Sequence, residues 1–198
     1  VKWLGFFLAL GLLLPAGAQA QTTIIAPPGS GFPYQRWVDE AAMPTPDLSI
    51  SIIEGDSEGE GWPCHVPYAP KPLAACAFVE QGTAYFDPLG GEPRFTLYHE
   101  LGHFVDVATL TDADRRWFAD FIRMPVDPWL SEVTHNTAGE DFASVYATCL
   151  RFGLRVRFTQ MELEDGRYIY PKRHFRLCRW IERVTTATTQ QAVSSSAG

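Results

Sequence analysis

The chain has 198 residues, 46% of them hydrophobic, and a formal charge of −7 from 16 basic and 23 acidic side chains. That length suits a single domain with a real core. The acidic balance argues against nucleic acid as a partner, and no apolar run reaches the roughly 20 residues of a membrane span.

At the start of the chain, Lys2 precedes an apolar run from Trp3 to Leu14, and Pro15 and the small-residue segment Ala16-Gly17-Ala18-Gln19-Ala20 follow. A positive charge, a short apolar core and an A-x-A end predict a secretory signal peptide over residues 1–20, cut near Ala20. The expected product is exported, to the periplasm or the medium, as a monomer with no stable membrane span. Export permits disulfides among Cys64, Cys76, Cys149 and Cys178. Of the three pairings, Cys64–Cys76 and Cys149–Cys178 each close a fairly short loop. No C-x-x-C spacing supports a cysteine-ligated zinc instead.

Residues 21–47 are rich in proline and glycine and read as an extended arm, with at most a short helix around Tyr34 to Ala42. Residues 48–53 alternate apolar and polar like a half-buried strand. The acidic loop 54–61 follows, with carboxylates at Glu54, Asp56, Glu58 and Glu60. Its spacing is not that of an EF-hand, so a solvated loop is the plainer reading than a calcium site. Residues 76–80 and 83–87 flank Gln81-Gly82 and predict a hairpin.

Next comes His99-Glu100-Leu101-Gly102-His103. On a helix, positions four apart lie one turn above each other, so both imidazoles can reach one ion. Neutral imidazole nitrogens suit zinc, and Glu100 between them suits a general base for water activated by the metal. Leu97, Leu101, Phe104, Val105 and Ala108 supply the apolar stripe of that helix, and Pro93 fits its first turn. A second helix is expected over Asp112 to Arg123, with Thr111 and Asp114 as a capping box. A third is expected from Glu140 to Phe152, where Ala143, Ser144 and Ala147 would let another helix approach closely. Residues 154–170 suggest a strand pair around Glu164-Asp165-Gly166. A last helix follows Pro171, and the Thr/Gln/Ser-rich tail 185–198 is expected to be disordered. The domain is thus placed at 21–184.

Charge is uneven along the chain. Residues 21–150 are strongly acidic, whereas residues 151–183 carry nine basic and four acidic side chains. Such a basic segment either docks against the acidic part or reads a partner.

A catalytic zinc needs a third protein ligand. Metzincin spacing would put Gly at 106 and His or Asp at 109, but Asp106 and Thr109 stand there. Acidic residues on the later helix, Glu140 or Asp141, are the candidates, and the helical wheel does not choose between them. Here His-Glu-Leu-Gly-His-Phe-Val-Asp followed by Glu-Asp-Phe-Ala resembles the gluzincin metallopeptidases, and more narrowly the catalytic-domain family of anthrax lethal factor. The resemblance covers residues 94–152. It implies an α+β, zincin-like fold with a small mixed or antiparallel sheet, an active-site helix and a second, Glu-bearing helix. It implies His99, His103 and Glu140 as Zn2+ ligands, Glu100 as general base, and a peptide or protein substrate bound along an edge strand. Thermolysin-like members carry Asp where this chain has Ser144, which weakens the support expected for the first histidine. For the oxyanion donor the candidates are His135 and Tyr146, the latter within an apolar stripe. Asp106, one turn past His103, could orient a ligand. His65 and His174 carry no partner pattern. The expected function is an exported zinc metallopeptidase. The alternatives are a zinc-stabilised binding module without hydrolytic activity, or a secreted effector protease.

Overall fold

The computed structural model describes residues 21–65, 71–130, 136–154, 161–162, 168–169 and 171–195. The expected signal peptide (1–20) and His135 lie outside them. The protein is α+β. Strands β1 (Thr23–Ile25), β2 (Ser49–Glu54), β3 (Ala75–Phe78) and β4 (Thr83–Phe86) form one mixed sheet in the order β1-β2-β4-β3. β1 and β4 run parallel to β2, and β3 is antiparallel to β4.

The alternation over 49–54 turns Ile50 and Ile52 inward. The expected hairpin forms with Phe78 opposite Thr83, but a 3-10 turn (Val79–Gln81) separates its strands. Gly82 closes that turn at φ 62°, a left-handed conformation that glycine adopts without Cβ strain.

The proline-rich stretch 21–47 is not an arm. It contributes β1 to the sheet and the short helix α1 (Tyr34–Asp39) to the core. Buried hydrogen bonds pin its start: the Thr22 N–H donates to Thr45 Oγ1 at 3.0 Å and the Thr22 hydroxyl to the Pro46 carbonyl at 2.7 Å. Only Ile24 of β1 is buried, so the strand carries no alternation that a sequence pattern could register.

Four longer helices follow: α2 (Pro93–Thr109), α3 (Asp112–Ile122), α4 (Ala138–Phe152) and α5 (Pro171–Ser195). α2 opens on Pro93, whose missing N–H costs nothing in a first turn. The capping box of α3 is complete: Asp114 N–H donates to Thr111 Oγ1 at 3.2 Å, and Thr111 N–H donates to Asp114 Oδ2 at 3.0 Å. A short pair, β5 (Met161–Glu162) with β6 (Tyr168–Ile169), precedes α5.

α5 continues to Ser195, past the point where composition predicts disorder. Hydroxyls at Thr185 and Thr186 donate back to the carbonyls of Ile181 and Glu182 at 2.9 and 2.6 Å, so side chains that usually compete with a helix are satisfied by its preceding turn. Both expected disulfides are present, Cys64–Cys76 and Cys149–Cys178. Among the described residues, no helix is long and apolar enough to cross a membrane.

Candidate metal centre

The centre is built where α2 and α4 pack against each other. The helices run antiparallel: Arg151 at the end of α4 pairs with Glu92 at the start of α2, and His99 and His103 meet residues 144 and 140 in turn. Contact is closest at Gly102, where a Cβ would stand 2.7 Å from the Ala143 Cα and 3.1 Å from its Cβ. Only glycine fits there. The small residues expected to admit a neighbouring helix therefore do so, and their partner is the motif helix itself.

Other contacts fix each helix in place. The Tyr98 hydroxyl, fully buried, donates to the Trp37 carbonyl and accepts from Arg94 Nε at 3.0 Å, tying the first turns of α2 to α1. Thr137 caps α4, accepting the Glu140 N–H at 3.4 Å. Just before Glu140, Gly139 donates its N–H to the Trp129 carbonyl at 2.8 Å, and a Cβ there would lie 2.5 Å from that oxygen. The Ala42 N–H donates to the Leu150 carbonyl at 2.7 Å at the far end.

The result is a three-residue donor set. The Glu140 carboxylate lies 3.2 Å from His99 Nε2 and 3.6 Å from His103 Nε2, and the donor atoms of all three residues fall within 4.8 Å of one another. Tetrahedral zinc with ligands at about 2.0–2.1 Å holds neighbouring donors about 3.3 Å apart, so the two measured separations bracket that spacing. The side chains are 17%, 12% and 17% exposed for His99, His103 and Glu140, open enough for a small reactant.

His99 Nδ1 lies 3.2 Å from Ser144 Oγ, within hydrogen-bond distance, and an Nδ1–H donated to that hydroxyl would leave Nε2 free to face a metal. His103 is raised above its ordinary value. Burial opposes its charged form but is outweighed by the Glu140 carboxylate, with Glu100 and Asp106 adding to it. Glu100 itself is buried, at 5% exposure, close enough to His103 to act on its charge.

The other candidates are placed differently. Asp141 is fully buried and outside the donor set. Asp106 does not orient an imidazole by hydrogen bonding among the described residues. Its oxygens accept from Arg115 Nε at 2.8 Å and Trp129 Nε1 at 2.7 Å, so it joins α2 to α3 and to the loop that seats Gly139. Tyr146 is core: it is fully buried, stacks on Phe142, and its hydroxyl finds no hydrogen-bond partner among the described residues. Burial pushes that phenol well above its usual range.

A second cluster, Cys149, His174 and Cys178, has metal-ligand composition. Its sulfurs are joined in a disulfide, with His174 Nε2 at 3.1 Å from Cys178 Sγ. Two carboxylates of the acidic loop 54–61, and the neighbouring Asp87, are engaged in hydrogen bonds. Glu54 accepts from Tyr34 and Ser30, Asp56 from the Glu58 N–H, and Asp87 takes the Ser57 N–H and hydroxyl.

The residues that sequence reasoning missed are Gly102, Gly139 and Trp129, which set the helix spacing and seat Glu140. The glycine inside the motif was the available signal, since it faces a small-residue stripe. Comparison of the chain with protein-family models, with curated proteins and with solved structures returns no match.

Proposed function

We propose that this chain is an exported zinc-dependent peptidase of the gluzincin type, with His99, His103 and Glu140 holding the metal and Glu100 acting as general base. The observation that carries the reading is the convergence of two imidazole nitrogens and one carboxylate on a single point, with Glu100 buried beside them. Zinc held there supplies a Lewis acid that polarises the scissile carbonyl and makes water more acidic.

The chain's own residues account for the rest. With zinc bound, the Ser144 hydroxyl would accept the His99 Nδ1–H and hold the tautomer that presents Nε2. Glu100, buried beside the donor set, takes a proton from the attacking water and passes it to the leaving amine. β3 is one of the two edge strands of the sheet, and α2 packs against it. An extended peptide paired to that strand would run beside the donor set.

The second reading, a zinc-stabilised binding module, draws on Ser144, a weaker support for His99 than a carboxylate. One experiment separates the two. Zinc content and peptide hydrolysis are measured on residues 21–198 as wild type, Glu100→Gln, Glu140→Ala and Asp141→Ala. The peptidase reading expects about one zinc per chain, lost in Glu140→Ala and kept in Asp141→Ala, and hydrolysis abolished in Glu100→Gln with zinc retained. Hydrolysis at the wild-type rate in Glu100→Gln refutes the role of Glu100. Zinc without hydrolysis of any peptide in a broad library leaves the binding module.

A further inference from the structure

Arg151 pairs with Glu92 of the acidic part, but a second group of basic side chains does not dock there. It lies in solvent on one face of α5, where Arg176, Arg179 and Arg183 are exposed and Arg173 is half-buried. Among the described residues, Glu182, 3.4 Å from Arg179, is the one carboxylate within ion-pair distance of these four guanidiniums.

The arginines are mounted on aromatic rings. Arg173 and Arg176 lie over Phe121 of α3, 4.9 and 5.2 Å from its centroid, and Arg179 lies over Phe175 at 5.7 Å. Phe121 in turn stacks on Trp117 at 5.2 Å, and Trp117 on Trp180 at 4.7 Å. Two large rings of this face are open to solvent, Trp117 of the stack at 37% and Phe175 beneath Arg179 at 43% exposure. Guanidiniums held on ring faces lose less side-chain entropy when they meet an anion.

We propose that this α3–α5 face docks the protein on an anionic phospholipid surface. Two features select that occupant. The face offers four guanidiniums with one carboxylate partner among the described residues, a charge that suits a plane of lipid phosphates. It also offers apolar rings beside them, and aromatic side chains favour the headgroup boundary. An acidic polypeptide would satisfy the arginines but leave Phe175 and Trp117 in water. Residues 21–150 are strongly acidic, which orients the molecule with α5 toward the lipid. The inference is independent of the metal centre.

The test is flotation of the purified chain, residues 21–198, with vesicles of phosphatidylcholine alone or with one quarter phosphatidylglycerol, at 0.1 M salt. The proposal expects association with the anionic vesicles only. It expects a loss of tenfold or more in Arg176→Glu/Arg179→Glu/Arg183→Glu, and a several-fold loss in Phe175→Ser with its charges intact. All four positions are exposed, and an unchanged thermal melt verifies the fold of each variant. No association with anionic vesicles overturns the proposal, as does association that the triple reversal leaves unchanged. Full competition by poly-glutamate at equal charge, with no effect of Phe175→Ser, would assign the face to an acidic polypeptide and overturn it equally.

Discussion

Gly102→Ala tests whether the spacing of α2 and α4 sets the metal centre. The new Cβ would stand 2.7 Å from Ala143 Cα, 3.1 Å from its Cβ and 3.2 Å from its carbonyl oxygen, all on a helix with no flexible end to yield. Reaching an ordinary contact of about 3.4 Å requires the helices to part by about 0.7 Å. Overpacking of this kind costs about 1–3 kcal/mol, against at most about 1 kcal/mol gained from the better helix propensity of alanine. The net expectation is a loss of roughly 1–2 kcal/mol in urea unfolding of the metal-free protein. The same displacement acts on the donors, because His99 and His103 ride on one helix and Glu140 on the other. Separations of 3.2 and 3.6 Å would widen toward 4 Å, and zinc affinity should fall tenfold or more in a competition titration with a chromophoric chelator. Adding Ala143→Gly removes the contact at 3.1 Å but not the one at 2.7 Å, so rescue should be partial. Wild-type stability and zinc affinity in Gly102→Ala would refute the argument that this contact positions the donors.

Ser144→Ala removes the partner of His99 Nδ1 and should weaken zinc about 10–100-fold, with Ser144→Asp recovering the loss; the same titration reads both. Tyr146→Phe deletes a buried hydroxyl that has no described partner, so urea unfolding should show stability unchanged or raised by about 1 kcal/mol. Hydrolysis by that variant should be unaltered, whereas a drop of about a hundredfold would restore Tyr146 as an oxyanion donor. His174 supplies a pH signature. Burial pushes it down to about 4, despite the Gly153 carbonyl that favours its charged form. Above pH 6.5 both folded and unfolded chains hold it neutral. Between 6.5 and 4 only the unfolded chain takes up the proton, so stability falls with pH by up to about 3 kcal/mol and levels off below 4. Urea unfolding at pH 7 and 4.5 should show that loss in wild type and not in His174→Gln, measured on the metal-free protein so that zinc release does not contribute.

What the sequence made legible followed the range of the interactions. The motif helix, the capping box at Thr111 and Asp114 and the hairpin rest on contacts within a few residues, and each formed close to its expected bounds. Loop length favoured both cysteine pairings without settling them, and both are present. Glu140 against Asp141 could not be settled by a helical wheel, because the wheel does not show which helix lies opposite. Packing against α2 leaves Glu140 partly open toward the histidines and buries Asp141 completely. β1 escaped notice because its support is a parallel neighbour some 26 residues on, and one buried side chain leaves no periodic trace. The role of Asp106 was hidden for a related reason: its partners Arg115 and Trp129 come from separate elements that only the tertiary fold brings to it.

α4 is held at its two ends by different chemistry, and this predicts where loss of metal is felt. Its C-terminal half carries the Cys149–Cys178 disulfide to α5, the Leu150 carbonyl bound by Ala42, and fully buried Val145, Cys149 and Leu150. Its first turn relies on the Thr137 cap, the Gly139–Trp129 hydrogen bond and the contacts of Glu140 with two histidines. Zinc would replace those contacts with a bridge between α2 and the first turn of α4, stabilising the folded chain by its mass-action term, about 4 kcal/mol at a thousandfold excess over Kd. Removing it should therefore loosen one end of the helix and spare the other. Hydrogen exchange with and without a chelator should show amides 140–143 and 99–103 losing about tenfold or more protection, while 146–150 change little. Uniform loss along α4 would mean that the metal supports the whole helix. No change at 140–143 on verified removal of bound zinc would mean that Glu140 does not bridge the helices through the metal.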